Sequence, residues 1–162
     1  MWFQGRRGSG GRRERGVTLL EMVVTIGVLL ILASVIVPTA RFAVKRQKEL
    51  ELRRSLRDMR KAIDEYKKYC DAGAIPKEGV DSECYPTELE ILVEGVDKVG
   101  TVGQKIKFLR RIPIDPFTKN TDWGKRSLQD DVDSSSWGQQ NVYDVFTTYE
   151  GTALDGTEYE DW

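Results

Sequence analysis

The chain has 162 residues, of which 25 are basic and 26 acidic, with two cysteines and no histidine. That length holds one domain, or one domain with an anchor or tail. The missing histidine excludes Ser-His-Asp triads, imidazole acid–base catalysis and His-ligated metals, and two thiols do not complete a zinc site that needs four. The charge is unevenly spread. Residues 1–16 carry Arg6, Arg7, Arg12, Arg13 and Arg15 against Glu14 alone, leaving 20 basic and 25 acidic residues beyond them. A mildly acidic remainder argues against nucleic acid as its partner.

The first predicted element is an apolar run. Between Arg15 and Arg41 lie 25 residues, and Glu21 is the only charged one among them. As a helix they rise roughly 37 Å, enough to cross a hydrocarbon core of about 30 Å. The run therefore reads as a membrane segment rather than a buried core helix. It is too long for the apolar region of an ordinary signal peptide, and LASVIVPTARFA offers no A-x-A cleavage site. The basic leader favours a cytoplasmic N-terminus, although Arg41, Lys45, Arg46, Lys48, Arg53 and Arg54 make the other flank basic as well. A carboxylate near the centre of a membrane helix costs about 2.5–3.5 kcal/mol, and less near its end. Two readings of Glu21 follow: it reaches the headgroup interface, or it pairs with a positive group supplied by processing or by a neighbouring subunit.

The stretch RGVTLLEMVVTIGVLLILASVIVP, residues 15–38, resembles the N-terminal signature of type IV pilins and of the pseudopilins of type II secretion systems. The resemblance implies a leader, 1–16, cut after Gly16 by a prepilin peptidase. It also implies methylation of the new N-terminus, Val17, and a role in assembly for Glu21. Pro38 matches a proline found late in the apolar half of such helices, whereas Val17 stands where phenylalanine is usual. In a filament of this kind Glu21 of one subunit would neutralise the Val17 amine of the next. A buried ion pair of that sort sets register.

Beyond Pro38, which is expected to kink or loosen the helix, Leu52, Leu56, Met59, Ile63 and Tyr66 form one stripe at helical spacing. The basic residues around it read as a solvated face, with contact to anionic lipid as the weaker alternative. The helix is predicted over 17–69, because Gly73, Pro76 and Gly79 supply breakers. Cys70 and Cys84 bracket the loop that follows, as a disulfide or as two free thiols. Closing such a loop contributes about 3 kcal/mol. YPTELEILVEG predicts a short helix with Thr87 and Glu90 at capping-box spacing and Gly95 as its stop. NVYDVFTTY alternates as a strand with room for cover on both faces, and KIKFLRRIP suggests another.

The C-terminal half resembles that of the major type II secretion pseudopilins. The residues carrying the resemblance are Tyr85-Pro86, Pro113-Ile114-Asp115-Pro116, Asp144-Val145-Phe146-Thr147 and Trp162, in that order. Phe117-Thr118 replaces a usual Trp-Gly pair, and the insert at 119–140 is long. The resemblance implies a calcium ion in the C-terminal loop, with Glu150, Asp155 and Asp161, or Glu158, as carboxylate donors. Asp131, Asp133 and Ser135 form a second oxygen-rich candidate, without the glycine and distal glutamate of an EF-hand.

The expected fold is α+β. A long N-terminal helix, transmembrane and assembly-forming over 17–40 and amphipathic beyond, packs on a small C-terminal antiparallel β-sheet domain at 70–162 with a short second helix. The resemblance implies a structural subunit rather than an enzyme. Such a subunit lies first in the inner membrane, single-pass, with its C-terminal domain in the periplasm, and then in a periplasmic filament that helps move folded proteins across the outer membrane. Its implied partners are further copies of itself, the prepilin peptidase, the inner-membrane assembly platform, minor pseudopilins and, before assembly, lipid. The alternatives are a pilin of an extracellular type IV pilus and, from another class, an uncleaved membrane-anchored enzyme or receptor. Against the last, GRRGSGGRRERG is not a phosphate-binding G-x-x-x-x-G-K-[ST] loop.

Overall fold

The computed structural model describes residues 16–101 and 103–162, and for 35–38 the backbone only. The elements in chain order are α1 (Leu19–Asp71), α2 (Glu90–Glu94), β1 (Val96–Asp97), β2 (Lys105–Ile106), β3 (Gly124–Arg126), β4 (Asp144–Phe146) and a closing 3-10 turn (Tyr159–Asp161). This is the expected α+β chain. The antiparallel strands form two separate pairs, β1 with β2 and β3 with β4, rather than one sheet.

The chain divides into two compact units, Met1–Phe42 and Ala43–Trp162. In the first, α1 exposes apolar side chains on every face from Leu19 to Leu32. Its backbone stays helical through position 38. The leader residues 1–15 and any effect of the Pro38 ring lie outside the described residues.

The second unit has a core, and the predicted stripe is its spine. Leu52, Leu56, Met59, Ile63 and Tyr66 are all buried, joined by Leu89, Leu92, Trp123, Val142, Val145 and Tyr159. Spacings of three and four residues keep one face of α1 turned inward, while arginines and lysines take the flanks. The helix ends two residues later than predicted, at Asp71. Gly73 turns the chain at a positive φ of 69°, a backbone region open to glycine at no steric cost. Cys70 and Cys84 are joined by a disulfide with their Cα atoms 5.6 Å apart. Lys67 donates to the Glu83 carbonyl beside it.

Three expectations about short elements need correction. The second helix is only Glu90–Glu94, and Leu89, not Thr87, precedes it without a side-chain cap. The YPT segment is held instead by the sheet side, where the Val142 N–H donates to the Pro86 carbonyl at 2.7 Å. Gly95 does end the helix, at φ 81°. The strand expected over 141–149 is ordered as a ladder only at Asp144–Phe146, and that over 105–113 only at Lys105–Ile106. β3 was not expected at all. It pairs Gly124 with Phe146, and a side chain at Gly124 would strike the Phe146 ring. Cover on both faces of β4 is observed: Val145, Phe146 and Thr147 are all buried.

Candidate functional site

The apolar N-terminal segment starts from an ordered cap. Thr18 immediately precedes α1; its side-chain oxygen accepts the Glu21 N–H at 3.2 Å and its carbonyl accepts the Met22 N–H at 3.1 Å. Thr18 and Glu21 thus hold capping-box spacing, which satisfies amide donors at a helix start. Gly16, with nothing near its Cα, and Val17 lie exposed just before the cap. A protease would therefore reach the Gly16–Val17 bond without unfolding α1. Glu21 itself is exposed in the first turn.

Along the rest of the segment no polar group is left seeking a distant partner. Thr25 and Ser34 donate their hydroxyl protons to the Met22 and Ile31 carbonyls, one turn back, so both are satisfied inside the helix, as an apolar surrounding requires. The helix is long and apolar enough to cross a membrane. Glu21 is the exception, a carboxylate with no ion-pair partner among the described residues.

The C-terminal loop, where calcium ligands were expected, is organised differently. Three side chains one helical turn apart on α1 grip it. Lys45 donates to the Thr152 carbonyl at 2.7 Å. The Glu49 carboxylate accepts from the Leu154 N–H at 2.8 Å and the Tyr159 hydroxyl at 2.9 Å. Arg53 pairs with Asp155 at 2.8 Å and lies 3.9 Å over the Trp162 ring. Burial, and then the Glu49 carboxylate, push the Tyr159 hydroxyl pKa up. Two turns further along α1, Arg60 binds Asp144 through two nitrogens and also donates to the Val145 and Trp162 carbonyls.

Asp155 already spends one oxygen on the Thr157 hydroxyl and N–H and the other on Arg53. Calcium needs six to eight oxygens. Among the described residues no group of three or more His, Cys, Asp or Glu is placed to hold a metal ion. Positive charge reaches the loop from Lys45 and Arg53 instead.

The Asp155 carboxyl is held at about 2, below its ordinary 3.8, chiefly by the Thr157 hydroxyl and amide and then by Arg53. A carboxyl whose pKa falls on folding stabilises the folded state above its unfolded value, and loses that contribution as pH drops through the folded one. The grip on the loop is therefore expected to hold at neutral pH and to weaken between about pH 4 and pH 2. Following the Thr157 amide resonance on acidification checks this; a midpoint at the ordinary carboxylate value would contradict it.

Sequence reasoning named Gly16, Val17 and Glu21 and did not name Thr18, Lys45, Glu49 or Arg53 for the contacts they make. Thr18 had a readable signal, the T-x-x-E pattern before an apolar run. The spacing of 45, 49 and 53 marks one helix face, but nothing local says what that face holds.

The model of the prokaryotic N-terminal methylation motif matches residues 11–37. No curated protein and no solved structure matches the chain. The matched span takes in the Gly16–Val17 junction, the Thr18 cap, Glu21 and most of the exposed apolar helix. With that motif opening a long helix that continues into a small α+β unit, the chain is similar to type IV pilin-like proteins, the class that takes in pilins and pseudopilins.

Proposed function

We propose that this chain is the major subunit of a type II secretion pseudopilus. Prepilin peptidase removes 1–16, and Val17 becomes a methylated N-terminus. The assembly platform then draws the subunit from the inner membrane into a periplasmic filament. The observation that carries this reading is the capped, exposed junction at Gly16–Val17 followed by an uncovered apolar helix with one carboxylate in its first turn. Such a helix has no stable place in water. It suits lipid before assembly and the helices of other copies after it.

The choice of pseudopilin over pilus pilin rests on the C-terminal half. Pro113-Ile114-Asp115-Pro116 and Asp144-Val145-Phe146-Thr147, read as two separate stretches, meet through a hydrogen bond from the Thr147 hydroxyl to Asp115. Two resemblances that serve one contact weigh more than two independent short matches.

The test is the intact mass and N-terminal peptide of the protein from membranes of its native cells. A chain beginning at Val17 supports the reading. A chain retaining 1–16, in cells with active prepilin peptidase, overturns it. Loss of folded exoproteins from the medium on deletion marks a pseudopilus; loss of surface fibres with secretion intact marks a pilus.

A further inference from the structure

The second unit carries two unlike surfaces that fit each other. One is a groove of about 770 Å³ between α1 and the segment 109–114. Its apolar floor includes Leu50 and Ile114, 61% and 58% exposed. Three arginines, Arg54, Arg110 and Arg111, line it against two carboxylates, Glu51 and Asp58. None of the three arginines takes part in an ion pair among the described residues.

The other surface is a projection. Val132 is 87% exposed in the 127–143 connection between β3 and β4, with the exposed Asp131 and Asp133 on either side. Its base is firmly built. The Asp130 carboxylate accepts the Ser127 and Gly138 N–H groups, and Arg126 donates to the Ser134 carbonyl at 2.8 Å. An apolar tip between two carboxylates complements an apolar floor between arginines.

The two surfaces are built from different elements. Leu50 and Arg54 of α1 lie beside 109–114 in the groove. Arg57 and Arg60 lie beside Trp162 in a separate depression. Arg60 holds Asp144, whose register partner on β3 is Arg126, the residue that anchors the projection. A contact between unlike surfaces of one chain does not close as a two-fold pair; it repeats from copy to copy, and where the rotation does not close a ring it generates an open helical array.

We propose that the Val132 projection of one copy seats in the Leu50–Ile114 groove of the next, with Asp131 and Asp133 meeting Arg54, Arg110 and Arg111. This rests on the filament reading and names a contact between the outer units of neighbouring subunits. Flanking charges of opposite sign fix orientation, and reject a groove-to-groove or tip-to-tip approach.

The experiment uses the full chain carrying Val132→Cys and Ile114→Cys together, assembled into filaments and oxidised. Both positions are exposed, and the native cysteines are already paired. The expected result is a ladder of dimers, trimers and higher species on a non-reducing gel, absent from either single variant. In parallel, Arg110→Asp with Arg111→Asp is expected to lower filament yield at least tenfold, and adding Asp131→Arg with Asp133→Arg to restore most of it. Filaments made of Val17-starting chains that give only monomers, with no rescue by the charge exchange, overturn the contact and leave the filament reading standing. Chains that are never cleaved and never assemble overturn both.

Discussion

A Glu21→Ala chain is expected to enter the membrane and to lose residues 1–16 normally, yet to assemble at least 100-fold less filament. The reason is an asymmetry in what is removed. The cap at the head of α1 uses the backbone N–H of Glu21, not its carboxylate, as the donor to Thr18. Alanine keeps that N–H and is a better helix former than glutamate, so the segment stays ordered and becomes more apolar. On the pairing reading, what disappears is the partner of the Val17 amine of the adjacent copy. Breaking a buried ion pair by deleting one member costs about 3–5 kcal/mol, because the other charge is stranded. At about 1.4 kcal/mol per decade this is two to three orders of magnitude in subunit affinity. Glu21→Gln separates charge from polarity and is expected to fail nearly as badly. Thr18→Ala, which removes the cap and keeps the charge, costs about 1 kcal/mol and is expected to assemble. Quantifying sheared filaments beside membrane-bound subunit decides the matter. Normal filament yield from Glu21→Ala would end the pairing hypothesis.

The second large effect is expected far from the membrane segment, at Asp115. This carboxylate is almost wholly buried. One oxygen accepts the Phe117 and Thr118 N–H groups at 2.7 and 3.3 Å, and the other accepts the Thr147 hydroxyl proton. The Asp115 amide and carbonyl close the same loop by bonding Asn120 and Lys119. Phe117, set in place this way, lies against the rings of Tyr149 and Tyr159. Asp115→Ala leaves three donors without acceptors, and an unsatisfied buried donor costs about 1–3 kcal/mol. The expected destabilisation is about 3–4 kcal/mol, a fall in Tm of roughly 10–15 °C. Asp115→Asn retains one acceptor oxygen, and its amide faces a hydroxyl able to accept. Its expected cost is about 1 kcal/mol. Thermal unfolding of the two variants side by side checks the network; equal losses would mean that the charge, not the hydrogen bonds, holds the loop.

The parts of this molecule that were legible in the sequence are those where one local pattern determines the outcome. The 52-56-59-63-66 stripe needs only helical periodicity, and all five residues are buried. The apolar run and its single acid need only counting. The parts that were not legible depend on partners distant in the chain. Gly124-Lys125-Arg126 has no alternation to mark it as a strand; it is one because Phe146 requires a glycine opposite. Thr87 has the spacing of a cap, but the Pro86 carbonyl is recruited by Val142 and the helix starts later. The acids of the C-terminal loop were visible as candidate metal ligands. The cations that meet that loop, Lys45 and Arg53, sit about a hundred residues upstream.

That last separation also orders events in time. The grip of Lys45, Glu49, Arg53 and Arg60 on residues 144–162 closes loops of some hundred residues, and long-range closures form slowly compared with a helix. The first half of α1 needs no such partner and is ready for the membrane as soon as it is made. The second unit therefore completes itself last, after α1 has formed, and a copy whose final stretch is still unplaced exposes the stripe that a finished one hides. Completion of the second unit is thus written into the chain as a delay.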